Sequence, residues 1–102
     1  MPQKDFIIWL TASTYIAVDL VTVGGTITVF TVRLMWVTDD GEFNVARYDT
    51  AHGVPHLDVN GRRQGQIRKE WRSGLSPEQV LTIAIQDFKQ NYESYLAEFI
   101  GN

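Results

Sequence analysis

The chain contains no cysteine. That excludes a disulfide framework, a thiolate zinc site and a cysteine nucleophile, and it suits a reducing interior. A cytoplasmic location is therefore expected. Long apolar runs are missing too. The most apolar early run, FIIWLTASTYIAV, follows Lys4 and Asp5 and stops at Asp19. It is shorter than the roughly 20 residues of a membrane span, so no membrane partner is expected. As a signal peptide it lacks a strong basic n-region and a clean small-residue cleavage site. No sign of charge dominates: 9 Lys+Arg stand against 12 Asp+Glu, and a net charge of −3 argues against a dedicated nucleic-acid coat. Repeats, low-complexity tracts, a P-loop, a dinucleotide fingerprint, a G-x-S-x-G elbow and an EF-hand loop are all absent. No cofactor and no metal centre is expected, and nothing announces an enzyme.

What is present reads as one ordered domain spanning residues 1–102. The chain is long enough to bury a core, and 44% hydrophobic and 12% aromatic residues belong to a folded chain. Residues 13–38 are dense in β-branched and aromatic side chains, which fit a pleated surface. Gly24-Gly25 divides them into strands at about 14–23 and 26–38. In the second, Phe30, Val32, Leu34 and Trp36 alternate and form the expected core face. Asp40-Gly41 supplies a two-residue hairpin loop that sets Thr38 against Phe43 and Trp36 against Val45. A second hairpin signal lies at Asn60-Gly61, between PHLDV and QIRKEW, with Gly65 as a bulge or a longer loop. Pro55 starts that strand or places it at an edge.

The helix at the end is announced by chemistry as well as periodicity. Ser76 is an N-cap, Pro77 occupies the first helical position and Gln79 completes a capping box. Leu81, Ala84, Ile85, Phe88, Tyr92, Tyr95, Leu96 and Phe99 then share one stripe, and Gly101 is a natural stop. The expected fold is α+β: an antiparallel meander of four to five strands packed against one long C-terminal helix.

Two groups of residues carry the chemical leads. The stretch RYDTAHGVPHLDVNG, Arg47 to Gly61, holds both histidines of the chain. Gly53 and Pro55 between His52 and His56 rule out a helical H-x-x-x-H metal pair. On a loop entering a strand, the imidazoles can still converge with Asp49 and Asp58. Asp49, His52 and His56 are then the candidate acid–base residues, with a divalent metal as an alternative and a polar strand connection as the plain one. The second group is Arg62, Arg63, Arg68, Lys69 and Arg72, five cations within eleven residues, beside Trp71. Arginines that fork to phosphates and an indole that stacks a base are parts used in RNA recognition. The plain alternative is a solvated hairpin whose charges protect a sheet edge.

Taken together, RYDTAHGVPHLDVNG, KEW and LSPEQVLTIAIQDFKQNYESYLAEF resemble a group of short, uncharacterised prokaryotic proteins. In those an R-Y-D strand end runs into a His-containing turn, and a capped helix with an N-x-x-x-Y/F ending closes the chain. They are distantly similar to the TumE-like toxins of toxin–antitoxin pairs. The resemblance covers roughly residues 44–100, and HLDVN lacks the further histidine that often follows there. It implies a small cytoplasmic protein of a mobile gene set, with Asp49, His52 and His56 on the matching positions and an antitoxin as partner. Three readings follow from the sequence. The leading one is a homodimeric binding or interaction module. The others are a toxin-like, RNA-directed protein and a binder of a small ligand in a pocket lined by Trp36, Phe88 or Tyr92.

Overall fold

The computed structural model describes residues 3–50 and 53–102. Six strands run in chain order: β1 (Gln3–Trp9), β2 (Thr14–Val23), β3 (Thr26–Thr38), β4 (Gly41–Asp49), β5 (His56–Gly61) and β6 (Gly65–Trp71). Each pairs antiparallel with its sequence neighbour, so the sheet order is β1-β2-β3-β4-β5-β6. One helix, α1 (Pro77–Gly101), follows. The expected class holds, with six strands in place of four to five. The additional strand is β1, whose second half, Phe6 to Trp9, opens the apolar run noted above. Its turn into β2 uses no glycine or proline: Leu10 and Thr11 N–H donate to the Thr14 carbonyl, and Ser13 N–H donates to Thr11 Oγ1.

Two turns differ from expectation by local geometry. Asp39-Asp40 makes the β3–β4 turn, held by Thr38 Oγ1, which accepts from Asp40 N–H and donates to the Gly41 carbonyl. Trp36 consequently faces Phe43, not Val45, and a bulge between Leu34 and Met35 absorbs the offset. Asn60-Gly61 belongs to β5, and the turn is Arg62-Arg63-Gln64, closed by Gly65 at φ +75°. A three-residue hairpin loop with glycine in the left-handed region is a favoured solution. Gly61 serves a different end, because a Cβ there would lie 2.7 Å from Asn102 Cβ and 2.9 Å from its carbonyl oxygen. The missing side chain lets the helix end dock on the hairpin. Arg62 N–H donates to the Phe99 carbonyl, and Arg63 and Gln64 N–H donate to that of Asn102.

Ser76 caps α1 and forms the full capping box with Gln79. The helix lays Val80, Ala84, Phe88, Tyr95 and Phe99 onto Val32, Leu34, Ala46, Tyr48, Leu57 and Val59. Val80, outside the expected stripe, is fully buried, while Leu81, Ile85, Tyr92 and Leu96 flank the core. At about 1.5–3 kcal/mol for each large apolar side chain removed from water, this face supplies most of the helix's stability. Among the described residues, no helix is long and apolar enough to cross a membrane. The helix covers one face of the sheet. Period-two alternation therefore sends a second set of side chains to the opposite, uncovered face.

Candidate functional site

On that uncovered face the strand register lines side chains up in rows across the sheet. One row reads Ile7, Ala17, Arg33, Arg47, Asp58 and Lys69; the next reads Asp5, Asp19, Thr31, Asp49, His56 and Trp71. Asp49 and His56, both candidates from sequence, meet directly: His56 Nε2 lies 3.1 Å from Asp49 Oδ1 and 3.4 Å from Asp58 Oδ2. His56 Nδ1 lies 3.1 Å from the Val54 carbonyl, to which it donates. Nε2 therefore faces two carboxylates, an arrangement that is attractive when a proton or another cation sits between them.

Arg47 ties the two carboxylates together. Its Nη2 donates to Asp58 Oδ2 at 3.2 Å, and its Nε sits 2.9 Å from Asp49 Oδ2 without the alignment of a hydrogen bond. Lys69 Nζ stands 3.6 Å from Asp58 Oδ1. Trp71 packs against the imidazole with ring centroids 5.0 Å apart and planes tilted by 53°, and Lys69 lies over the indole. The loop that leads from β4 is pinned where it begins: Thr50 N–H donates to the Phe30 carbonyl and Phe30 N–H to Thr50 Oγ1.

Exposure decides what this cluster can do. The His56 and Asp58 side chains are 2% and 5% exposed, whereas Arg47 is 42% exposed. A substrate meets the guanidinium and the ammonium, not the imidazole, so the cluster presents Arg47 and Lys69 on a fixed base. Asp49, His56 and Asp58 have the donor types and the spacing to hold a divalent ion. Their two negative charges are already balanced by Arg47 and Lys69, so an added ion would leave two positive charges in excess.

Of the remaining described candidates, Lys69 alone joins this cluster. His52 lies outside the described residues. The five cations of the β5–β6 hairpin divide between the two faces and the tip. Arg68 pairs with Glu98 of the helix and with Glu70, and Arg72 pairs with Glu70 and lies over the Tyr48 ring, all on the helix side. Arg68 holds Glu70 below the usual carboxylate range. Lys69 alone of these points to the uncovered face. Arg62 lies over Trp36 and Phe43 and 3.7 Å from Asp40, and Arg63 adjoins it at the tip.

A second polar network was not foreseen. Tyr48 and Tyr95 hydroxyls both donate to Asp87 Oδ2, at 2.7 and 2.5 Å, and Asn91 donates to Asp87 Oδ1. Burial, reinforced by the Asp87 bond, pushes the Tyr48 hydroxyl up to about 12 and raises Tyr95 as well. Beside it a groove of about 620 Å³ runs between α1 and β6, lined by Arg68, Arg72, Ile83, Gln86 and Asn91 among others. The expected ligand site around Phe88 is instead filled, with Phe88 packed against Tyr48 and Tyr95. Arg47 was also overlooked, although its signal was legible: it stands two residues before Asp49, hence on the same face of a strand.

Over residues 1–102 the chain matches the family described as a domain of unknown function, DUF7718. It belongs to that family. No curated protein and no solved structure matches this DUF7718 chain. The likeness to TumE-like toxins gains no support from these comparisons.

Proposed function

We propose that this DUF7718 protein is a binding module that engages a protein surface through the uncovered face of its sheet. The observation that carries this reading is the composition of that face. Ile7, Trp9 and Trp71 are each more than half exposed, and they frame a rigid network of charges. An aromatic and aliphatic rim around fixed polar groups is what association surfaces offer. The absence of cysteine supports a cytoplasmic setting. Against the RNA-directed reading stands the pairing of the cations: Arg33, Arg47, Arg62, Arg68, Lys69 and Arg72 each lie within 4 Å of a carboxylate. Little unbalanced positive charge is left to attract a phosphate backbone.

The test is in-cell photo-crosslinking from two positions. A photoreactive residue at Ile7, on the uncovered face, is expected to give discrete protease-sensitive adducts. One at Gln90, on the rim of the helix-side groove, is expected to give none. Adducts from Gln90 only would move the site to the groove, and nuclease-sensitive adducts from Ile7 would restore the RNA-directed reading.

A further inference from the structure

We propose that the surface bound by the uncovered face is a second copy of this chain, packed face to face about a two-fold axis. The axis lies between the sheets, perpendicular to the strands and midway between the two rows. This rests on the reading above and names its partner.

The two rows of this face carry opposite net charge. The first row holds Arg33, Arg47 and Lys69 against Asp58, and the second holds Asp5, Asp19 and Asp49 beside His56. One row is therefore basic and its neighbour acidic. Rotation about an axis between them lays each row on the other row of the second copy, as a two-fold interface requires. Arg33 then faces the partner's Thr31 beside the partner's half-exposed Asp19, Lys69 faces the partner's Trp71, and Arg47 lies over the partner's Asp49, a carboxylate that is 11% exposed and already held within its own chain. The acidic row has reason to accept a cation. Asp5 and Asp19 stand directly opposite on adjacent strands, and Arg33, at 3.5 Å from Asp19, is their nearest basic group in that register. Burial, and then Asp5, raise the Asp19 carboxyl above its usual range.

Apolar groups close the ends of the face. Trp9 packs against Tyr15 with ring centroids 4.8 Å apart at one edge, and Trp71 stands at the other. A six-strand face about 24 Å across and roughly 20 Å along the strands covers about 500 Å² on each copy. About 1,000 Å² in all is at the lower edge for a specific interface, so the expected dimer is weak and concentration-dependent. Facing sheets cross at about −30°, so the correspondence is best near β3 and β4 and loosens toward the edges.

Sedimentation velocity on the whole chain tests this, using Arg33→Asp and Asp19→Arg. Both side chains are about two-fifths exposed, and circular dichroism verifies that the variants fold. The wild type is expected to dimerise at about 50 mM salt and to weaken at least several-fold at about 500 mM. Each variant alone is expected to be monomeric, and an equimolar mixture to dimerise, because Asp at 33 of one copy meets Arg at 19 of the other. A wild type that stays monomeric, variants that dimerise as the wild type does, or a mixture that stays monomeric would each overturn the proposal. If the wild type is monomeric while Ile7 still yields protein adducts, the second copy is wrong and the module reading stands. If Ile7 yields no adducts, the module reading falls as well.

Discussion

Arg47→Ala asks how much the ion cluster contributes to the fold. The substitution removes the group that bridges Asp49 and Asp58, and leaves both carboxylates facing His56 and Asp58 facing Lys69. Breaking a buried ion pair by deleting one partner costs about 3–5 kcal/mol. Asp58 is buried enough for that range to apply, but Arg47 is 42% exposed and Lys69 remains 3.6 Å away, so the low end is expected. The predicted loss is therefore about 3 kcal/mol, part of it from the apolar stem of the arginine. For a chain of this size that moves a urea midpoint by about 1–3 M, followed by tryptophan fluorescence. Asp58→Ala in the same background separates pairing from packing. If the guanidinium acts through Asp58, the double variant loses less than the sum of the singles, by about 1–2 kcal/mol. A loss under about 1 kcal/mol, or strict additivity, would refute the view that this cluster is a buried, mutually dependent unit.

Two further perturbations probe other parts of the argument. Gly61→Ala places a methyl 2.7 Å from Asn102 Cβ and 2.9 Å from its carbonyl, so it should separate the helix end from the hairpin and cost about 1–2 kcal/mol; an unchanged thermal midpoint would count against the docking. Tyr48 has its pKa raised from 10.0 to about 12, so the fold binds this proton more tightly than the unfolded chain does. Its contribution, of order 2–3 kcal/mol, is present in full below pH 10 and is lost as pH rises through about 12. Tyr48→Phe should flatten the decline in stability across that window, and identical pH profiles would refute the assignment.

What could be read in the sequence was whatever is decided within a few residues. Ser76, Pro77 and Gln79 fix the start of α1 by local bonds, and Gly24-Gly25, at φ +59° and +81°, makes the expected turn. The register of β3 against β4 was not legible. It depends on a bulge whose position answers to packing on both neighbouring strands, and on a Thr38 hydroxyl that outcompetes the Asp40-Gly41 signal. The β1–β2 turn escaped notice because hydroxyls and carbonyls, not glycine or proline, close it. At the site, the meeting of Asp49 with His56 followed from a short connection between two paired strands. The Tyr48–Asp87–Tyr95 network joins a strand to a helix 39 residues away, and no spacing in the sequence announces it.

The strand order has a consequence for how the chain acquires its shape. Because every strand pairs with the one before it, no strand must be threaded between two already joined. The sheet can grow hairpin by hairpin from any turn that closes first, and the loops to be closed are short. The helix has no such freedom. Its partners lie on β3, β4 and β5, so it can seat only on a sheet that has already formed. Until Val80, Phe88 and Phe99 arrive, Val32, Leu34, Tyr48 and Val59 form an apolar surface open to water. A sheet paired before the helix docks would therefore be the species most exposed to mispairing with its own kind.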